Sequence, residues 1–173
     1  MSSQVSGDLS QIRTGPCKVT YKGTACGHTE GGVTVSIKHN TRERMVDEYG
    51  TTTVDRIHTG DSVTVRTKFK QKSYQVISTV YQFGGSIASS VWGIGKVPGT
   101  KGSSLAGSLL LHPLDGDGVK DDITIYKAVV SDQGDVAMGT VNADVDFDVT
   151  FQGLIDETAT TYLLGKFATS IFS

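Results

Sequence analysis

The stretch "NADVDFDVTFQGLID", residues 142–156, sets Asp144, Asp146 and Asp148 in alternation with Val145, Phe147, Val149 and Phe151. Carboxylates this close together are the oxygen ligands that hard cations take. Alternation, however, sends them to one face of a strand. There residues i and i+2 lie roughly 6.6 Å apart, with side chains leaving the sheet nearly parallel. Ligands must converge on an ion, so a metal site here needs a second strand to contribute. The competing reading is a wet strand face backed by an apolar one, and the spacing favours it. A second acidic cluster, "DGDGVKDD", carries Asp115, Asp117, Asp121 and Asp122. Set against a calcium loop, it has Gly118 at the fourth position and Val119 at the fifth, where a ligand belongs, and no helical pattern flanks it. It reads as a hydrophilic hairpin turn.

Catalytic chemistry finds no better footing. His28, His39, His58 and His112 fall in no zinc-binding spacing, such as two histidines one helical turn apart. No nucleophile elbow is present, and "GGSIASSVWGIG" lacks the lysine of a phosphate loop. Cys17 and Cys26 are separated by eight residues, so they form no C-x-x-C pair and read as reduced thiols. The expectation is a protein without catalytic residues, metal or cofactor: not an enzyme.

The elements that position these residues read as strands. The 173 residues suffice for one domain with a core. A charged fraction of 20% against a hydrophobic fraction of 37% marks a globular chain. Twenty-one glycines with three prolines suit strands and turns. A net charge of −2 leaves no whole-chain footprint for nucleic acid or membrane. No apolar run reaches the roughly 18 residues of a membrane span. The opening "MSSQVSGDLSQIRTG" lacks the basic start and apolar stretch of a signal peptide, so synthesis and folding are expected in a cytoplasm.

Residues 1–15 read as an arm without a core of its own. "CKVTYKG" alternates Cys17, Val19 and Tyr21 with Lys18, Thr20 and Lys22, and "GGVTVSIKH" alternates Val33, Val35 and Ile37 with Thr34, Ser36 and Lys38. Gly31-Gly32 marks a bend or bulge. Residues 39–60 break the pattern and read as a long charged loop, a feature that tends to be functional. "DSVTVRTKFK" turns Val63, Val65 and Phe69 one way and Ser62, Thr64, Arg66, Lys68 and Lys70 the other. Tyr74, Ile77 and Tyr81 in "QKSYQVISTVYQFGG" recur at helical spacing, with Gly84-Gly85 as the stop. Residues 86–104 read as a loop holding Trp92. Strands are predicted over "SLAGSLLLHPL", ended by Pro113, over "ITIYKAVVS", over "VAMGTVN" after a "DQGD" turn, and over 143–151. The apolar tail, residues 157–173, must dock, through side chains such as Tyr162, Leu163, Leu164, Phe167, Ile171 and Phe172. Seven or eight strands and one helix predict a mainly β fold, an antiparallel β-sandwich or barrel with one flanking α-helix. If strands 62–70 and 143–151 are neighbours, their opposite charges pair across the ladder. If not, each lines its own polar surface. Long strands wet on one side suit the wall of a closed or multi-subunit barrel.

This order of elements runs through "GTACGHTEGGVTVSIKHNTRERMVDEYGTTTVDRIHTGDSVTVRTKF", then "KSYQVISTVYQF", then "VDFDVTFQGLID". It resembles the major tail tube proteins of tailed bacteriophages, relatives of the type VI secretion tube protein. The match is one of order and texture over most of the chain, not of signature residues. It implies a single tail-tube-like domain over 1–173 that completes a multi-subunit β-barrel in a hexameric ring. Rings would stack head to tail into a hollow tube that conducts DNA during ejection, with no sequence-specific binding. Asp144, Asp146, Asp148, Thr34, Ser36, Lys38, Thr64, Arg66 and Lys68 would line the lumen. The 39–60 loop, with Arg42, Arg44, Met45, Val46, Asp47, Glu48, Tyr49, Val54 and Ile57, would reach an adjacent ring, and residues 1–15 and 157–173 would bridge subunits. The implied partners are further copies of the chain, the tape-measure, terminator and baseplate proteins, and a sheath protein if the tail is contractile. The implied location is the virion tail, assembled in the host bacterial cytoplasm. The family lumen is acidic, which leaves the basic face of Arg66, Lys68 and Lys70 open to two readings: neutralised by the acidic strand, or outside the barrel. A one-residue slip in register would exchange the two faces. The alternative function is a β-sandwich binding module of adhesin or carbohydrate-binding type, with Trp92 as its platform.

Overall fold

Alternating β-branched and aromatic residues build most of the protein into strands. The structure, a computed structural model, describes residues 16–71, 73–114, 121–137, 146–159 and 163–168. Within these, ten strands run in chain order: β1 (Cys17–Tyr21), β2 (Thr24–Ala25), β3 (Thr29–Met45), β4 (Thr53–Phe69), β5 (Gly84–Ala88), β6 (Val91–Ile94), β7 (Gly107–Pro113), β8 (Ile123–Ala137), β9 (Asp146–Gly153) and β10 (Gly165–Phe167). One helix, α1 (Tyr74–Val80), lies between β4 and β5. The large antiparallel sheet follows the order β2-β1-β7-β8-β9-β4-β3, with β10 paired to β8; β5 and β6 form a separate two-stranded sheet. The fold is therefore mainly β and antiparallel with one helix.

The large sheet bends over a single core. Tyr21 on β1 and Phe151 on β9 are separated by two intervening strands. In a flat sheet that is about 14 Å at the usual strand spacing, yet their rings lie 5.0 Å apart. Val19, Tyr21, Val65, Phe69, Leu109 and Phe151 meet inside, and Val76 and Val80 of α1 close the same core. The Ser73 hydroxyl accepts the Val76 amide at 3.3 Å and starts the helix. The Tyr21 hydroxyl donates to the Ala128 carbonyl at 2.9 Å. The Gln82 amide donates to that hydroxyl, while its oxygen accepts the Val130 amide at 3.4 Å. The buried polar groups of this corner are thus joined into one network.

Burial pushes the Tyr21 phenol up to about 12 and the Cys26 thiol up to about 11. Both groups hold their protons more tightly folded than unfolded, so their contribution is complete below the unfolded values and lost as pH rises through the folded ones. Stability is expected to hold to about pH 8.5 and to fall steeply between about pH 9 and 12. Urea titrations at stepped alkaline pH measure this. Tyr21→Phe should remove about half of the slope between about pH 10 and 11, and most of it above about pH 11, where Cys26 ionises in the folded chain as well.

Several local expectations are corrected. Residues 39–60 are not a loop. They are the distal ends of β3 and β4 joined through one 3-10 turn at Asp47–Tyr49. "DQGD" is not a turn, because β8 runs through it, with register shifts between Val130 and Asp132 and between Gln133 and Val136. A bulge absorbs what the sequence suggests is a reversal. Residues 84–94 form the β5–β6 hairpin, so Gly84-Gly85 opens a strand, and α1 ends at Val80 with Tyr81 as its cap. Other expectations hold: Gly31 and Gly32, at φ 72° and 84°, sit in a bulge of β3, and both cysteines are free thiols. Part of the apolar tail docks on its own domain, with β10 pairing to β8 and Leu164 packed against the core. Residues 1–15, the acidic cluster's Asp115 and Asp117, and the tail's Tyr162, Ile171 and Phe172 lie outside the described residues.

Candidate functional site

β3, β4 and β9 are consecutive in the sheet, and their register places the predicted wet residues on one face. Thr34 lies opposite Arg66, Ser36 opposite Thr64 and Lys38 opposite Ser62. On the other side of β4, Arg66 faces Thr150 and Lys68 faces Asp148. The reverse face of β4 and β9 carries Val63, Val65, Phe69, Phe147, Val149 and Phe151, all buried. Alternation thus separates core from solvent as the sequence implies. Lys68 Nζ lies 3.3 Å from Asp146 Oδ2 and 4.0 Å from Asp148 Oδ1, and Lys70 Nζ lies 2.7 Å from Glu30 Oε2. The acidic and basic strands are neighbours and pair across the ladder, the first of the two arrangements the sequence leaves open. Asp144 lies outside the described residues.

The second feature is the hairpin arm. Residues 36–59 are exposed apart from the half-buried Val46. Beyond Asp61 the paired strands extend roughly 20 Å at the usual rise per residue. Glu43 braces the arm, accepting from Arg56 Nη2 at 3.0 Å and from the Thr53 hydroxyl at 3.1 Å. Arg42, Arg44, Asp47 and Glu48 are exposed there with large apolar side chains. Met45, Tyr49 and Val54 are 54%, 64% and 51% exposed, and Ile57 is 37% exposed. Apolar side chains presented together on a projecting element mark an interaction surface.

Sequence spacing misses one cluster at the root of the arm. Asp61 Oδ1 lies 2.6 Å from His39 Nδ1 and 2.7 Å from His58 Nε2. Hydrogen bonds from His58 and then His39 hold the Asp61 carboxyl below its ordinary range. His39 and Asp61 are cross-strand partners. His58, three residues from Asp61, belongs on the opposite face of a regular strand. A bulge returns it, since Asn40 pairs with Gly60 and Thr41 with His58, leaving Thr59 without a partner. Gly60, at φ 143°, takes the conformation that the bulge requires.

Two other side-chain groupings have structural roles. Cys17 lies beside His112, whose Nδ1 is 2.5 Å from Asp122 Oδ1. Burial, aided by the Asp122 charge, raises the Cys17 thiol above its ordinary value, the opposite of what a nucleophilic thiolate needs. Trp92 is half-buried, donates its indole N–H to the Tyr81 carbonyl at 3.1 Å, and meets the Tyr74 ring edge-on at 6.2 Å. It anchors the β5–β6 hairpin to α1.

No protein-family model matches the chain, and no curated protein matches its sequence.

Proposed function

We propose that the protein is the structural subunit of a bacteriophage tail tube, a non-enzymatic chain whose hexameric rings stack into a hollow DNA-conducting tube in the virion tail. The observation that carries this reading is the three-strand wall of β3, β4 and β9, wet on one side and on the other buried on β4 and β9 and half-buried on β3 at Val33 and Val35, continued by an exposed hairpin arm. Among the described residues β3 is the terminal strand of the sheet, and it is 17 residues long. Its outer edge, unpaired among the described residues, offers a row of backbone donors and acceptors of the kind that recruits another strand. In the proposed ring that edge joins a neighbouring copy, so the walls of successive subunits continue into one barrel, with the wet face turned to the lumen. The arm reaches the next ring along the axis, a head-to-tail contact that propagates without closing. The tape-measure, terminator and baseplate proteins are the partners of such a tube, with a sheath protein if the tail is contractile.

Lys68, held by Asp146 and Asp148, suits a lumen wall because its charge is answered within the subunit. Electron microscopy and sedimentation velocity of the purified chain test the proposal. Hexameric rings or filaments are the expected result, and a monodisperse monomer at high protein concentration would overturn it.

A further inference from the structure

We propose that His39, His58 and Asp61 form a binding site for a divalent transition metal of the zinc class at the root of the hairpin arm. The two imidazole nitrogens and the carboxylate oxygen all lie within 4.8 Å of one another. They come from both strands of the arm and share one face only because the Thr59–Gly60 bulge restores His58 to the side of Asp61. Imidazole with carboxylate is a zinc, cobalt or nickel donor set; calcium and magnesium prefer oxygen alone. Zinc bonds of about 2.0–2.2 Å to such ligands need only a small separation of groups that now touch through hydrogen bonds. Three protein ligands leave a fourth position for water.

In the metal-free geometry His39 Nδ1 and His58 Nε2 face Asp61 Oδ1, whose carboxylate is the acceptor. On binding, each of those nitrogens turns a lone pair to the metal, and its ring proton exchanges through water to the other nitrogen. No bond within the protein is made or broken. The site sits at the mouth of a groove of about 640 Å³ between the hairpin and β10, lined by Ile37, Val63, Ile155 and Phe167 among others. A bound ion would cross-link β3 to β4 at the place where the arm leaves the body, and so fix the arm's direction.

Titration of the full chain with zinc chloride by calorimetry tests the site, with cobalt(II) as a spectroscopic probe. The expected result is one zinc per chain, and visible cobalt bands of a four-coordinate site. His39→Ala, His58→Ala and Asp61→Asn should each weaken zinc binding by more than the roughly 10–100-fold lost when an outer-shell partner is removed. Circular dichroism without metal should show these exposed substitutions folded like the parent. Inserting one residue between Asn40 and Thr41 gives Thr59 a partner, keeps all three ligands but turns His58 to the opposite face, and should abolish binding equally. Zinc binding that is absent in the parent overturns the proposal. So does binding that survives unchanged in all three substitution variants, which would place it elsewhere, for example at His28 or His112.

Discussion

Replacing residues 41–59 with Asn-Gly is expected to leave a folded subunit that no longer assembles. The replacement sets Asn40 opposite Gly60, as in the intact hairpin, across a two-residue turn that favours the strand twist. None of the removed residues is buried, so the subunit should lose little stability. Assembly should lose the apolar anchors Met45, Tyr49 and Val54 together with Ile57. If two of these act as hot spots at about 2 kcal/mol each, the concentration needed for assembly rises roughly 10³-fold. Sedimentation velocity with electron microscopy reads both halves of the expectation, and tubes of parental length would refute the arm's role. Failure of this test while the parent still forms rings would leave the tube reading standing and remove only the assignment of the arm.

The second large effect lies in the core. Phe151→Ala should destabilise the subunit by about 3–5 kcal/mol, the usual cost of emptying a buried aromatic site. Phe151 is fully buried at the centre of β9, opposite Val65 on one side and Val130 on the other, and packs on the Tyr21 ring. It therefore connects the two halves of the bent sheet. Urea unfolding of the isolated subunit measures the loss. A change below about 1 kcal/mol, typical of surface positions, would show that the halves do not share this core.

How much of this was legible in the sequence depends on burial. Where a strand has one dry face, alternation gives the strand and the sidedness together, as for Val63, Val65 and Phe69 on β4 and Phe147, Val149 and Phe151 on β9. The distal arm has no dry face. Arg42 lies opposite Ile57 and Glu43 opposite Arg56, so polarity does not alternate and strands resemble a charged loop. Even strand-forming residues such as Val54 and Ile57 lack the periodic context that marks a strand. "DQGD" misleads in the other direction, because glycine between acidic residues signals a turn just as it can signal a bulge. The Lys68–Asp146 pair was visible only as one of two options, since the order of strands in a sheet is not written in local spacing. The His39, His58 and Asp61 cluster was hidden more deeply. His39 and Asp61 meet through hairpin register, and His58 joins them through one unpaired residue. No linear motif encodes either.

The interleaved charges of the wet face have a further thermodynamic meaning. A polyanion binds tightly to a surface that carries surplus lysine and arginine, because each neutralised phosphate frees a condensed counterion. On this wall Lys68 is already neutralised by Asp146 and Asp148, and Lys70 by Glu30. If this face lines the proposed lumen, cations answered in place neutralise fewer phosphates, so DNA frees fewer of its condensed counterions there. In the proposed tube the remaining salt-dependent hold on DNA would come from Lys38 and Arg66, which form no ion pair among the described residues.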